Sequence, residues 1–286
     1  MATLKRYHAT ALTILFVLLC VGLSICYAGE KGKLYVVGMG PAGPDLTAPR
    51  ALAIVEKADV FLCSPGMPKR FESFGKHINP DKVAFNPWEG ILGKEAEKLK
   101  KTDYQAWVGR VDKQIKKVQE FVLECIKDGK TVVMMDGGDP CVYGPSLHWL
   151  LRGLDDSYFE VIPGMGAFNA AGAALKRTMT PDDVRFIMLT SPDSLFGKSH
   201  EKDEILKDLS KYKVTMVFYM SLSSMNELVE KFKRYYPPDF PLAVVFYAGY
   251  SDRETVLRSN LGNILDDLKK VDEKWVGLLI IGECVK

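Results

Sequence analysis

Apolar and polar positions along this chain alternate in a way that predicts strands and helices in turn. Residues 34–37 form a short continuous apolar run, the pattern of a strand buried on both faces. Residues 47–58 follow as a helix, with Thr47 as its cap and Pro49 in the first turn, where a missing N–H costs little. Residues 60–63 make a second strand. Val111, Ile115, Val118, Val122, Cys125 and Ile126 recur at helical spacing, so a long amphipathic helix runs to about Lys127 and stops at Gly129. Residues 131–135 are another apolar run, 147–154 a short helix, and 158–162 a strand closed by Pro163-Gly164. Further strands are expected near 186–189, 214–219, 242–247 and 277–281, with helices near 203–209, 223–234 and 261–270. Such alternation predicts a mainly parallel α/β architecture. Two runs of it divide the chain into α/β domains at 34–168 and 169–286, with the small, apolar residues 167–175 as the joint. Residues 88–107, rich in charge and without a clear period, predict an irregular or helical insertion, and the mixed run 94–101 reads as a solvated helix face.

The first 28 residues fall outside this pattern. Lys5, Arg6 and His8 precede an uncharged apolar run from 11 to 26, and Cys26-Tyr27-Ala28 places small residues at the two positions a signal peptidase reads. A cleaved leader and export from the cytoplasm are expected. The alternative is a membrane anchor within residues 9–28, although the apolar run is short of the roughly 20 residues that span a bilayer comfortably.

Composition narrows the functional classes. The chain has 286 residues, 47% hydrophobic and 26% charged, as a globular protein does. Its 38 basic and 36 acidic side chains become level once the leader takes Lys5 and Arg6 away. A neutral body excludes electrostatic binding of nucleic acid as the expectation. Beyond the leader, Cys63, Cys125, Cys141 and Cys284 form no C-x-x-C pair and the histidines are scattered, so no metal site is expected. Four cysteines in an oxidising compartment allow three disulfide pairings, between which the sequence does not choose.

Two glycine loops carry the candidate chemistry. The run 131–135 ends in Asp136-Gly137-Gly138-Asp139-Pro140, and in an open α/β sheet ligands bind outside the carboxyl ends of strands. Glycines there let backbone approach a ligand closely. The first strand runs into Gly38-Met39-Gly40-Pro41-Ala42-Gly43-Pro44-Asp45, which contains G-x-G-x-x-G. A dinucleotide site would open its helix inside that run, whereas Pro41 and Pro44 break it and the helix signal starts only at Thr47.

In order along the chain, these blocks resemble the tetrapyrrole (corrin and porphyrin) C-methyltransferases. They are 34–47, 51–60, Gly137-Gly138-Asp139-Pro140-Cys141-Val142-Tyr143-Gly144, 159–171, 216–220, 241–249 and 279–283. The resemblance implies two α/β domains with S-adenosylmethionine in the cleft between them, and a tetrapyrrole substrate such as a uroporphyrinogen or precorrin. It places Pro41, Gly137, Gly138, Asp139, Val142, Gly166, Ala167, Met220 and Gly249 at the cofactor, and the family commonly forms homodimers. Gly166 stands where relatives often carry a hydroxyl residue. Ser64-Pro65-Gly66 stands where several uroporphyrinogen methylases carry an acid, so no catalytic residue is assigned. Asp45 and Tyr143 neighbour the loops, but capping and packing roles suit them better than that of a base. The loop pattern is closer to the corrin-ring methylases than to ribosomal-RNA or diphthamide relatives. The leader keeps one alternative open, an exported protein that binds a tetrapyrrole or nucleoside without methylating it.

Overall fold

In the computed structural model, residues 32–286 are described apart from 74, 196–199, 274 and 275. The leader expectation therefore lies outside the described residues. Among those residues no helix is long and apolar enough to cross a membrane. The four cysteines are free thiols, Cys141 exposed and the other three buried.

Among the described residues the strands form two five-stranded sheets. The first is entirely parallel, in the order β3-β2-β4-β1-β5, from β1 (Lys33–Gly38), β2 (Val60–Leu62), β3 (Val83–Phe85), β4 (Thr131–Asp136) and β5 (Phe159–Ile162). Its central strands are apolar almost throughout because both faces are covered. On one face the helix Tyr104–Lys127 lays Val111, Ile115, Val118, Val122 and Cys125 against Leu34, Val36, Val132 and Met134. That helix starts where the Asp103 carboxylate accepts the Ala106 N–H at 3.0 Å, satisfying a donor its first turn leaves free. On the other face Ala51 and Val55 of helix Pro49–Lys57, and Met67 and Phe71 of helix Gly66–Glu72, cover Val37, Val133 and Met135.

The second sheet has the order β6-β7-β10-β8-β9, from β6 (Phe186–Thr190), β7 (Val214–Phe218), β8 (Pro241–Phe246), β9 (Thr255–Asn260) and β10 (Gly277–Ile281). Helices Met225–Phe232 and Ile264–Lys269 cover one face. Helix Ala167–Leu175 covers the other, its Ala170 and Ala171 small enough to lie close on Val217, Ala243, Val245 and Ile280.

Four expectations need correction. The second sheet is not mainly parallel: β6 and β7 run together, but β10 is antiparallel to both β7 and β8, and β9 to β8. No helix separates β8 from β9, so the chain must return in the opposite direction. Residues 147–154 do not form an α-helix; Ser146–Leu150 is a single widened π turn. Thr47 does not cap the next helix. Ala48 does, with Pro49 as first helical residue, while the Thr47 hydroxyl donates to the Met39 carbonyl at 2.6 Å. Residues 94–102 are helical, but that helix is not simply solvated, since Lys100 and Lys101 face a cleft between the two sheets.

Candidate active site

β1, β4 and β5 end side by side, and their glycines touch backbone to backbone. A Cβ on Gly38 would lie 2.5 Å from the Gly164 nitrogen, and one on Gly164 only 2.3 Å from the Gly138 oxygen. The two loops expected from sequence are one structure: Gly138 N–H donates to Gly40 O at 2.8 Å, and Gly40 N–H to Gly138 O at 3.3 Å. Gly40 and Gly138 both hold positive φ, +77° and +91°, which only glycine adopts freely. Gly137 differs from these packed neighbours. It is exposed, and a Cβ there would meet nothing within 4 Å. The junction is thus sealed on its inner side and open at Gly137.

The structure gathers Asp139, Val142, Gly166, Ala167, Gly249 and Pro41 at this junction, whereas Gly137, Gly138, Asp139, Val142, Gly166 and Gly249 are not in the lining of the cleft beside it. The Asp139 carboxylate accepts the Cys141 N–H at 2.9 Å and its carbonyl accepts the Val142 N–H at 3.1 Å, so this aspartate shapes its own loop. Gly138 approaches the Ala167 nitrogen, and Gly166 approaches the Cβ of Asp139. From the second sheet Gly249, at φ +85°, comes so close that a Cβ would stand 2.8 Å from Leu46 and 3.1 Å from Pro41. Pro41, Ala167 and Met220 line the cleft itself.

That cleft holds about 770 Å³, a size suited to a sizeable small molecule. Ile91, Trp107 and Trp149 form one wall, the two indoles edge to face at 5.9 Å. Met220, Tyr247, Tyr250 and Val276 form the other. Tyr143 from the Gly-Gly-Asp-Pro loop stacks on Tyr219 from the second half, ring centres 4.6 Å apart and planes 14° from parallel. Among the described residues the non-glycine positions at positive φ are Tyr143, Lys176, Met220 and Tyr247. All but Lys176 line the cleft, so backbone strain of about 1 kcal/mol or more per residue gathers there. Leu92, Tyr104, Tyr143, Met220 and Val276 leave much apolar surface open in the same place, as a surface awaiting a ligand does.

The sequence reading passed over Asp136. It is 4% exposed; Oδ1 accepts the Ser146 hydroxyl at 2.6 Å, while Oδ2 has no hydrogen-bond partner. Burial pushes its pKa up to about 6, against the opposing effect of the Ser146 bond. The available signal was period two: Asp136 shares a strand face with the core residues Val132 and Met134. Of the two neighbours considered as bases, Asp45 is exposed in the turn Pro44–Leu46 and lies outside the cleft lining. Tyr143 lines the cleft, but burial raises the pKa of its hydroxyl, away from a base at neutral pH. Pro65 caps the short helix Gly66–Glu72, so the Ser64-Pro65-Gly66 departure begins a helix.

Known proteins share this fold. Residues 33–265 match the family of Tetrapyrrole (Corrin/Porphyrin) Methylases. The chain is 27% identical over 257 residues to a cobalt-precorrin-4 C(11)-methyltransferase of Methanocaldococcus jannaschii, spanning 88% of this chain and 87% of that protein. It is 26% identical over 262 residues to a uroporphyrinogen-III C-methyltransferase of the same organism, spanning 89% and 97%. A solved cobalt precorrin-4 methyltransferase has the same fold, with a TM-score of 0.66 at 22% identity over 90% of this chain and 98% of that one. So does a uroporphyrin-III C-methyltransferase from Thermus thermophilus complexed with S-adenosylhomocysteine, with a TM-score of 0.60 at 20% identity over 89% and 99%. With a family match across most of its length, this protein belongs to the tetrapyrrole (corrin/porphyrin) methylases, a family of methyltransferases.

Proposed function

We propose that this protein transfers a methyl group from S-adenosylmethionine to a ring carbon of an acid-bearing tetrapyrrole. The observation that carries the reading is the glycine junction, sealed within and exposed at Gly137, beside a cleft of about 770 Å³ that Pro41, Ala167 and Met220 line. The cradle suits the cofactor: Gly137 and Gly138 offer backbone with no side chain in the way, Gly166 and Ala167 pack close by, and Pro41, Val142, Met220 and Gly249 are proposed to complete it. Asp139 holds the loop in shape from its side.

When bound, the cofactor would supply an electrophilic methyl on a sulfonium, the S–CH3 pair staying with sulfur as the ring carbon's pair forms the C–C bond, and a ring proton would leave afterwards. What the protein contributes is alignment and exclusion of water. The stacked Tyr143 and Tyr219 and the Trp107–Trp149 wall give a macrocycle apolar surfaces to pack against. The positive charge would pass from sulfur to the ring and leave with the ring proton; because it is moved and not created, a dry apolar cleft does not oppose the transfer. The retained cradle supports transfer over the reading of a protein that only binds.

Calorimetry of the purified protein is expected to show one S-adenosylhomocysteine bound per chain. Label from methyl-labelled S-adenosylmethionine should then appear in uroporphyrinogen III or a precorrin. Absence of binding heat at millimolar cofactor would end the proposal. Residues 1–28, by their basic start and apolar run, are proposed as an export leader. Sequencing the native N-terminus should read from Gly29; an intact Met1 would overturn cleavage.

A further inference from the structure

At the mouth of the cleft the two halves meet through charge. Lys100, on helix Lys94–Thr102 of the first half, places Nζ 3.2 Å from Oδ2 of Asp193, in the turn Pro192–Ser194 that follows β6. The same ammonium stands 5.3 Å from the centre of the Trp107 ring. Both partners line the cleft, as do Lys101 and Glu97 of the same helix. The Lys100 and Asp193 side chains are 41% and 79% exposed. An ion pair so open to water contributes only about 0–1 kcal/mol, too little to be what holds the halves together. Its position is more informative than its strength: a cation is held ready at the edge of an aromatic wall.

A tetrapyrrole acid is a broad macrocycle with carboxylates around its rim. Laid against Trp107 and Trp149, it would bring a rim carboxylate to the place Asp193 now occupies. We propose that Lys100 is a specificity-determining residue that binds a peripheral carboxylate of the tetrapyrrole, and that Asp193 is a placeholder which the substrate displaces. The inference rests on the tetrapyrrole reading above and adds to it the residue that selects for acid groups. Breaking the Asp193 pair with Lys100 costs little, because that pair is open to water and worth only about 0–1 kcal/mol. Glu97 nearby keeps the mouth from being strongly cationic, so selection depends on where Lys100 stands.

The two halves of the ion pair therefore act on substrate with opposite sign. Titration of the full-length protein with uroporphyrin III, followed by tryptophan fluorescence, reads this directly, with uroporphyrin octaamide as the uncharged probe. Lys100→Gln should weaken uroporphyrin binding roughly tenfold, the loss of one charge-assisted contact. Lys100→Arg should restore most of that affinity. Asp193→Asn should tighten uroporphyrin binding, by roughly threefold. Binding of the octaamide and of S-adenosylhomocysteine should stay unchanged in all three variants. If both Lys100→Gln and Asp193→Asn weaken binding, the pair is a strap between the halves and the proposal fails. It fails equally if Lys100→Gln leaves uroporphyrin affinity unchanged. Wild-type protein that binds S-adenosylhomocysteine but neither porphyrin would instead overturn the tetrapyrrole reading, and this inference with it.

Discussion

Gly164→Ala is expected to cost about 3 kcal/mol of folding stability, the upper end of what overpacking does. Its added methyl would sit 2.3 Å from the Gly138 oxygen and 2.7 Å from the Gly38 carbonyl atoms. These are backbone atoms at the ends of three paired strands, and they cannot rotate aside as a side chain would. Relief requires β5 to draw away from β1, or the Gly-Gly-Asp-Pro loop to lift and give up its hydrogen bonds with Gly40. Gly137→Ala is the matched contrast. Open space surrounds its Cβ, so stability should change by no more than about 0.5 kcal/mol. Because that space is where the cofactor is proposed to lie, S-adenosylhomocysteine affinity should nonetheless fall by roughly tenfold or more. Urea denaturation and calorimetry on both variants separate the two roles. A Gly164→Ala protein as stable as wild type would refute the sealed junction, and normal cofactor binding by Gly137→Ala would remove the loop from the site.

Asp136 should give the protein a pH dependence of unusual sign. Most acids in folded proteins bind protons less tightly than in the unfolded chain; here burial raises the pKa to about 6. Between roughly pH 4 and pH 6 the folded state holds a proton that the unfolded state has released. Stability therefore falls as pH rises through that window, by about 3 kcal/mol in total for this group, and is low on its account at neutral pH. Asp136→Asn keeps an oxygen for the Ser146 hydroxyl and removes the titration. The difference in unfolding free energy between variant and wild type should grow in the variant's favour from pH 4 to pH 7, then level off. Parallel pH dependence in the two proteins would show that Asp136 ionises as an ordinary surface acid does. That a costly carboxyl group stands beside Gly137 agrees with strain being tolerated where a protein works rather than where it merely folds.

Local pattern made part of this structure legible and left the rest hidden for identifiable reasons. The long helix to Lys127 and strands β1, β4, β7, β8 and β10 could be read because each buries a regular stripe or an unbroken apolar run. β9, Thr-Val-Leu-Arg-Ser-Asn at the sheet edge, buries little and carries no such signature. β3 has only three residues, and helix Gly66–Glu72 opens on glycine with proline inside it, both contrary to helix preference. Strand direction in the second sheet is a property of connections, which hydrophobic periodicity does not encode. The glycine loops showed in sequence as motifs, but their mutual hydrogen bonds and the approach of Gly249 are contacts between distant residues. Lys100 belongs to a run that reads as solvated charge, and Asp193 stands in no motif; only folding sets them 3.2 Å apart at the mouth of an aromatic cleft.

The left-handed backbone at Tyr143, Met220 and Tyr247 has a bearing on how this protein would respond to engineering. Glycine or asparagine at any of these positions would relax the chain, so selection for heat resistance alone would drift toward them. Each such gain would erase a side chain from the cleft wall. The positions where improvement is easiest to find would thus be those where it is most harmful, and a map of stabilising substitutions would outline the cleft without any substrate being known.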